Sequence, residues 1–259
     1  MPVPVTVAID AWLEVRDRLA PGVVEGLYLV GSAALDDWQR ASDIDIVAFV
    51  ADPTDAETVA QLEAAHASDR SDDRQPTVDG PFLAWADVST PPLAAQRPWT
   101  LDGEFLFDGD CFEINPVTWY TLAEYGVAVR GAPAEELGVY RDANDRRTWV
   151  RENVDTYWRS VAEQIEGALE QEPDRTDFAA ETQEWCALGI ARMAYTFETG
   201  GVASKSAAGR RAAECLPKHR GVLLDALALR RSSGLAAVDR SSVVAVVALL
   251  ADLVDAITR

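Results

Sequence analysis

Two aspartates in alternate positions, Asp43 and Asp45, begin an apolar segment that runs to residue 50. Successive side chains of a β-strand point to opposite faces, so a strand here would project both carboxylates to one side while Ile44 and Ile46 face the core. Neighbouring carboxylates repel each other unless a cation lies between them, and Mg²⁺ is typically held by one or two carboxylates together with substrate phosphates. The pair predicts a metal site; the alternative is a solvated acidic strand end.

A Gly-Ser pair stands before these aspartates, at the end of an apolar strand predicted at residues 27–30. Gly31 would let the backbone approach a ligand, and Ser32 offers a hydroxyl and an N–H to a phosphate. We assign Ser42 to the same nucleotide site, although a serine before a turn is also a common cap. Together with the aspartates, these residues predict a site for a metal-bound nucleotide.

The complete arrangement resembles the signature of the DNA polymerase β-like nucleotidyltransferase superfamily. An apolar strand, Gly-Ser, a gap of ten residues and the pattern Ser-Asp-apolar-Asp-apolar follow one another in residues 27–46. The resemblance implies nucleotidyl transfer with Mg²⁺ as cofactor. It also implies a third acid on a neighbouring strand, which bridges a metal or takes the proton from the attacking hydroxyl.

The third acid is not obvious in this sequence. The strand predicted at residues 80–86 has no acid in its centre; Asp79 stands before it, Asp87 stands after it, and Glu113 lies on a later segment. We rank Asp79 first, Glu113 second and Asp87 third as the acid that completes the catalytic set with Asp43 and Asp45. Each has the alternative of a turn or surface acid.

Two cations in the second half of the chain, Arg192 and Lys205, lie on either side of a Gly-containing turn between two predicted helices. Residues 192–200 follow the pattern Arg-x-x-Tyr-x-x-x-Thr-Gly, and residues 130–137 read Arg-Gly-Ala-Pro-Ala-Glu-Glu-Leu. With the N-terminal signature, these motifs resemble the aminoglycoside (3'')(9)-adenylyltransferases, which modify streptomycin and spectinomycin, over nearly the full chain. The resemblance implies that Arg192 and Lys205 contact the phosphates of ATP. A triphosphate needs such cations, and a helix start attracts anions; the alternative for either residue is a surface cation.

The sequence departs from that family at one important point. The family's catalytic base is a glutamate on the strand that here reads Gly-Pro-Phe-Leu-Ala-Trp at residues 80–85, and no glutamate matches it. Either another acid has taken the role, or the protein binds nucleotide without catalysing transfer.

Residues around the start of a predicted helix at 178–198 are candidates for contact with the acceptor, the aminoglycoside-type molecule whose hydroxyl would be modified. Carboxylates there could hold ammonium or guanidinium groups, and a tryptophan could stack on a sugar face. The substrate-binding set is Asp177, Glu181 and Trp185, with Asp174 and Glu184 nearby. The alternative is a solvated helix start with one core tryptophan.

Charge limits the classes of partner. The chain of 259 residues has 43 acidic and 23 basic side chains and a net charge of -20. Nucleic-acid binding relies on Lys and Arg, so a field of this sign opposes it, whereas it attracts a polycationic small molecule. Acidity that serves only solubility is an equally valid interpretation. Three cysteines and two histidines argue against a disulfide framework and a zinc site.

The expected location is the cytoplasm, with no membrane partner and a monomeric state. The N-terminal residues do not resemble a signal peptide, and the apolar run at 243–251 is too short to cross a bilayer.

The pattern of elements changes near residue 140. Earlier residues predict a mixture of helices (5–19, 55–67, 116–124) and strands, including a hairpin with arms at 104–107 and 111–114, and a polar surface loop at 68–75. Later residues predict long amphipathic helices at 145–170, 178–198, 206–214, 218–231 and 241–257. The predicted fold is an α+β nucleotidyltransferase domain at residues 1–138, a mixed sheet with flanking helices, followed by an all-α helical bundle domain at residues 139–259.

These inferences combine into one functional prediction. A hydroxyl of a small polycationic acceptor, of the aminoglycoside type, attacks the α-phosphorus of ATP and releases pyrophosphate, with the acceptor in a cleft between the domains. The alternatives are a nucleotidyltransferase that acts on a protein or tRNA, as in toxin-antitoxin systems, and a nucleotide-binding pseudoenzyme.

Overall fold

The structure is a computed structural model that describes residues 1–69, 76–92, 95–232 and 237–259. The chain divides into two compact units, Met1–Asp142 and Ala143–Arg259. The domain boundary predicted after residue 138 lies shortly before this division and stays a prediction. Residues 70–75 of the predicted surface loop lie outside the described residues.

The first unit alternates helices and strands. Its elements in chain order are α1 (Val3–Leu19), β1 (Gly26–Leu29), α2 (Gly31–Ala34), β2 (Ile44–Phe49), α3 (Ala56–Asp69), β3 (Val78–Leu83), β4 (Trp99–Leu101), β5 (Glu104–Leu106), α4 (Pro116–Tyr125) and β6 (Val127–Arg130). The strands described here form one sheet in the order β5-β4-β3-β2-β1-β6. Only the β2–β3 pair of this sheet is parallel. The predicted mixed sheet with flanking helices is confirmed.

The central strands are apolar on both faces because both faces of the sheet are covered. Leu27 and Leu29 of β1 pack in one cluster with residues of α1 and α3. Tyr28 and Val30 point the other way and pack in a second cluster with residues of α4. Burial on both sides anchors β1 and β2, and with them the Gly31 turn and the aspartates at the start of β2.

β3 begins earlier than the sequence predicts and includes Asp79. It starts at Val78, two residues before the predicted strand at 80–86, and continues through Gly80 and Pro81. Gly80 has a φ of +146°, and a Cβ there would lie 2.0 Å from the carbonyl oxygen of Ile46. The glycine therefore permits the close approach of β3 to β2, and an acid lies on this strand after all.

The hairpin predicted with arms at 104–107 and 111–114 is wrong. β5 pairs with β4 instead, through a turn at Asp102 and Gly103, and residues 111–114 form turns before α4. Both turn residues have positive φ, +50° and +73°, as a two-residue hairpin turn requires, and Asp-Gly is a favoured pair for it.

The second unit is mainly helical, which confirms the predicted bundle. Its elements are α5 (Ala143–Asn153), a π-helical segment (Val154–Trp158), α6 (Arg159–Gln171), β7 (Asp177–Ala179), α7 (Ala180–Thr199), α8 (Lys205–Cys215), α9 (Arg220–Arg231), β8 (Ala237–Asp239) and α10 (Arg240–Thr258). α7 is central and packs against α5, α8, α9 and α10. β7 and β8 form a small antiparallel ladder that the sequence pattern did not predict, because strands of three residues carry almost no periodic signal.

Within the described residues, one helix is long and apolar enough by composition to cross a membrane, namely α10. It is longer than the apolar run at 243–251 from which the sequence analysis argued. Eight of its residues, from Val243 to Ile257, are buried, and it packs against α6 and α7. The core helix of a soluble protein passes the same test of length and composition.

Two helix-interior glycines give a test of packing in the second unit. Gly189 faces Trp158, where an added Cβ would lie 2.4 Å from the indole ring, whereas a Cβ on Gly167 would meet nothing within 4 Å. Alanine usually stabilises a helix by about 1 kcal/mol relative to glycine. We expect Gly167→Ala to raise the free energy of unfolding by up to this amount, and Gly189→Ala to lower it by about 1–3 kcal/mol through overpacking against a buried ring. Urea unfolding measures both, and equal stability of the two variants would contradict the packing described here.

Candidate functional site

Three carboxylates meet at one edge of the sheet. Asp43 precedes β2, Asp79 is the second residue of β3, and Asp102 lies in the turn between β4 and β5. One carboxylate oxygen from each lies within 4.8 Å of the others. β2 and β3 run parallel with Asp45 opposite Asp79, so both strands begin at this edge. Carboxylate oxygens gathered in this way fit a hard divalent cation such as Mg²⁺.

Asp79 is the buried member of this acidic cluster, with only 8% of its surface exposed. Burial raises its pKa, and the charges of Asp43 and Asp102 raise it further, against hydrogen bonds from Thr77 and Gly103 that lower it. The Oγ1 of Thr77 lies 2.7 Å from an oxygen of Asp79 and 2.8 Å from one of Asp43. One hydroxyl proton cannot satisfy both carboxylates, so the ionised cluster is short of positive charge.

Asp45 is held against the turn that follows β1. The backbone N–H of Val30 donates to the carbonyl oxygen of Asp45 (2.9 Å), and the N–H of Ser32 donates to its Oδ2 (3.4 Å). Gly31 has a φ of +55°, and a Cβ there would lie 1.9 Å from the same Oδ2. The glycine is therefore required by the neighbouring carboxylate as well as by its backbone conformation. The metal role of Asp45 and the phosphate roles of Gly31 and Ser32 stay predictions.

Ser42 closes a local turn. Its N–H donates to the carbonyl oxygen of Gln39 (2.8 Å), and its Oγ accepts from the N–H of Gln39 (3.3 Å). This is the capping role weighed as the alternative, and a role in nucleotide binding stays a prediction.

The other two candidates for the third acid lie in different surroundings. Asp87 forms an ion pair with Arg97 at 3.1 Å and accepts the N–H of Ala84. Glu113 accepts a long hydrogen bond from Thr118. Among the acids that the structure describes, the cluster around Asp43 includes the first-ranked Asp79. It also includes Asp102, which the sequence analysis missed; the Asp-Gly turn signal at 102–103 could have indicated its position.

The second unit contains a cluster of opposite sign. Lys205 begins α8 behind the N-cap Ser204, and its Nζ lies 3.5 Å from Oε1 of Glu184 on α7. Arg230 of α9 donates to the same oxygen at 3.1 Å. Burial lowers the pKa of Lys205; the charge of Glu184 raises it, and those of Arg192 and Arg230 lower it again. Sequence analysis found Arg192 and Lys205 but missed Arg230, which only the packing of α9 brings here.

The residues assigned to the acceptor lie at the start of α7 and on β7. Glu181 is in the first turn of α7, and Asp177 begins β7. Trp185 is 38% exposed, and its ring centre lies 4.9 Å from that of Trp158. Glu184 differs from these residues, because it pairs with the protein's own cations. The acceptor roles of Asp177, Glu181 and Trp185 stay predictions.

The geometry at Gly31 gives a prediction with a matched control. Gly31→Ala should displace the carboxylate of Asp45, whereas Gly138→Ala introduces the same left-handed strain (φ +62°) where a Cβ meets nothing within 4 Å. Both variants should lose about 1–2 kcal/mol of stability to backbone strain. We expect only Gly31→Ala to lose Mg²⁺-dependent nucleotide binding, measured by calorimetry. If both variants bind as the wild type does, Gly31 does not position Asp45 for a site.

The buried carboxylate gives a second prediction, with its sign fixed by the raised pKa. Because its pKa is higher in the folded state, Asp79 in its neutral form adds to the free energy of unfolding. This stabilisation is fully present below the ordinary pKa of 3.8 and is lost as pH rises through the higher folded pKa. At pH 7 without divalent cations, Asp79→Asn should therefore unfold at a higher temperature than the wild type. Added Mg²⁺ should stabilise the wild type more than the variant. Scanning calorimetry at pH 3 and pH 7 measures this, with Asp108→Asn at an exposed site as the control; a variant less stable at pH 7 would contradict it.

Two family models match this sequence. The nucleotidyltransferase domain matches residues 10–79, and the C-terminal domain of aminoglycoside adenylyltransferase matches residues 152–254. The first match includes the acids from Asp43 to Asp79, and the second includes the charged residues from Glu184 to Arg230. No curated protein matches the sequence significantly.

A solved structure shares the fold. The spectinomycin adenyltransferase AAD(9) from Enterococcus faecialis, crystallised with ATP and spectinomycin, matches with a TM-score of 0.69 and 14% identity, over 98% of this chain and 99% of that chain. At this identity the likeness shows the fold alone, and the two family models carry the assignment to a family. A nucleotidyltransferase domain is thus followed by the C-terminal domain of the aminoglycoside adenylyltransferases, and the protein is an aminoglycoside adenylyltransferase-like nucleotidyltransferase.

Proposed function

We propose that this enzyme transfers AMP from ATP to a hydroxyl of a small polycationic acceptor, in a reaction that depends on Mg²⁺. The observation that carries the proposal is the cluster of carboxylates at the start of β2 and β3, inside the match to the nucleotidyltransferase domain. The acceptor class is an aminoglycoside-type antibiotic of the streptomycin or spectinomycin kind, so the enzyme would confer resistance. The match to the C-terminal domain of aminoglycoside adenylyltransferase supports this class.

The acids of the first unit take two roles in the proposal. Asp43 and Asp45 hold Mg²⁺, which when bound neutralises charge on the phosphates of ATP. Asp79 accepts the proton of the attacking hydroxyl, because it is the carboxylate of the neighbouring strand that lies beside Asp43. As the acceptor oxygen forms its bond to the α-phosphorus, the bond from that phosphorus to the bridging oxygen breaks, and pyrophosphate leaves with the electron pair.

The remaining assignments follow the family resemblance. Gly31, Ser32 and Ser42 contact the nucleotide, while Arg192 and Lys205 neutralise its triphosphate. The charges of Arg192 and Arg230 both act on Lys205 at the start of α8, and this grouping of cations at a helix start supports a phosphate site in the second unit. For the acceptor, Asp177 and Glu181 bind cationic groups and Trp185 stacks on a sugar face. A cleft between the domains as the acceptor's position stays a prediction of the sequence.

The expected partners are therefore a nucleotide and a small acceptor, with neither nucleic acid nor membrane, and the expected state is a cytoplasmic monomer. The net charge of -20 supports a cationic acceptor over tRNA. The missing glutamate favours the pseudoenzyme alternative, and β3 has no glutamate; its Asp79 supports a relocated acid instead. Incorporation of labelled nucleotide into protein or tRNA would instead identify a macromolecular acceptor.

The central test is Asp43→Asn, which keeps an acceptor for the hydroxyl of Thr77 and removes one charge from the cluster. We expect pyrophosphate release with ATP, Mg²⁺ and spectinomycin or streptomycin to fall by about 10³-fold, because electrostatic stabilisation of the transferring phosphoryl group is lost. Stability should change little, since Asp43 is exposed. Asp108→Asn, another exposed acid of the same unit, controls for the change in net charge. Full activity in Asp43→Asn, or no release in the wild type with either antibiotic, would contradict the proposal.

A further inference from the structure

Four charged residues of the second unit interact in a row that the family resemblance explains only in part. Arg230 of α9 donates to Oε1 of Glu184 on α7, and the same oxygen lies 3.5 Å from Nζ of Lys205 at the start of α8. The charge of Arg192, further along α7, lowers the pKa of Lys205. The resemblance assigns Arg192 and Lys205 to phosphates and leaves the roles of Glu184 and Arg230 open.

The row is poorly accessible to water. The side chains of Arg230, Glu184 and Lys205 are 7%, 17% and 22% exposed. Charges with so little hydration must be compensated by one another or by a ligand. Lys205 and Arg230 share the carboxylate of Glu184, and Lys205 also adds its charge to the positive end of α8. Lys205 therefore lies at a helix start, close enough to Arg192 and Arg230 to be affected by their charges, and this position favours an anion.

The two contacts of Glu184 differ in quality. The 3.1 Å contact with Arg230 is a good charge-assisted hydrogen bond, whereas the 3.5 Å contact with Lys205 is at the limit of hydrogen bonding. Arginine holds a carboxylate with a rigid planar group, and lysine is a point charge on a flexible stem. Lys205 can leave Glu184 at little cost, and Arg230 retains the carboxylate when it does.

We infer that Glu184 is an internal counter-anion of the phosphate site, which a bound polyphosphate replaces at Lys205, and that Arg230 is the positioning residue that holds Glu184 in place during this exchange. The inference rests on the proposed function in one respect, namely that Lys205 and Arg192 bind the phosphates. Arg230 then tunes the affinity for polyphosphate through Glu184, without contact with the ligand.

A double-mutant cycle on the full chain tests this coupling. The probes are inorganic tripolyphosphate and ATP, and the dissociation constants are measured by calorimetry. Glu184→Gln removes the carboxylate that competes with the ligand for Lys205, and it should tighten binding about threefold to tenfold. Arg230→Gln removes the other partner of Glu184, so Glu184 pairs with Lys205 alone and binding should weaken about tenfold. Glu184→Gln with Arg230→Gln should return to within about twofold of the wild type, because the loss in Arg230→Gln acts through Glu184.

The controls separate this inference from simpler explanations. Arg259→Gln removes an arginine that is 80% exposed and should leave both affinities unchanged. Thermal unfolding of each variant shows whether it is folded, and a purely structural Arg230 would change the unfolding temperature without coupling the affinities. Additive effects, or affinities of all three variants within twofold of the wild type, would overturn the inference.

One further variant distinguishes failure of this inference from failure of the proposed function. If Lys205→Met weakens binding while the cycle shows no coupling between Glu184 and Arg230, the proposed phosphate site is supported and only the roles inferred for Glu184 and Arg230 are wrong. If Lys205→Met binds both probes as the wild type does, the proposed phosphate site falls, and this inference falls with it.

Discussion

The parallel pairing of β2 with β3 determines the position of the acids in the first unit. In an otherwise antiparallel sheet, this pair alone starts two neighbouring strands at the same edge, with Asp45 opposite Asp79. An antiparallel partner would carry its first residues to the far edge and leave Asp43 without the buried carboxylate of Asp79 beside it. The pairing needs Gly80, since any Cβ there would collide with the backbone of β2. A position without a side chain thus determines where three carboxylates meet.

Each unit brings side chains of like charge close together. In the first, Thr77 and Gly103 supply too few donors for Asp43 and Asp79, and burial raises the pKa of Asp79. In the second, Glu184 is shared by two cations, and burial lowers the pKa of Lys205. Each arrangement costs stability in the absence of a ligand of the opposite sign. The acids of the first unit favour a cation, and the cations of the second unit favour an anion.

The sequence could predict those parts of the site that depend on a local pattern of a few neighbouring residues. The period of two places Asp43 and Asp45 on one side of a strand, and the Gly-Ser turn precedes them in the order the superfamily signature requires. The start of β3 was placed two residues late, because Val78 and Asp79 belong to the strand through their pairing with Ile44 and Asp45 of β2. The hairpin was misplaced by one turn, since two Asp-Gly pairs, at 102–103 and 108–109, compete for the same role. Asp102 and Arg230 reach their clusters only through pairing and packing of distant segments, which no local pattern encodes.

A resident carboxylate also changes what a cationic site selects. An anion with one charge gains little by replacing Glu184 at Lys205, because one ion pair with Lys205 is lost for each one formed. A triphosphate spreads several charges over neighbouring oxygens and can engage Lys205 and Arg192 together, so it gains more than the exchange costs. Because Arg230 holds Glu184 after the exchange, the negative charge of Glu184 stays near the ligand. It repels a ligand whose own charge binds Lys205 and Arg192 only weakly. Selectivity for polyphosphate over abundant simple anions then follows from one half-buried acid shared by Lys205 and Arg230.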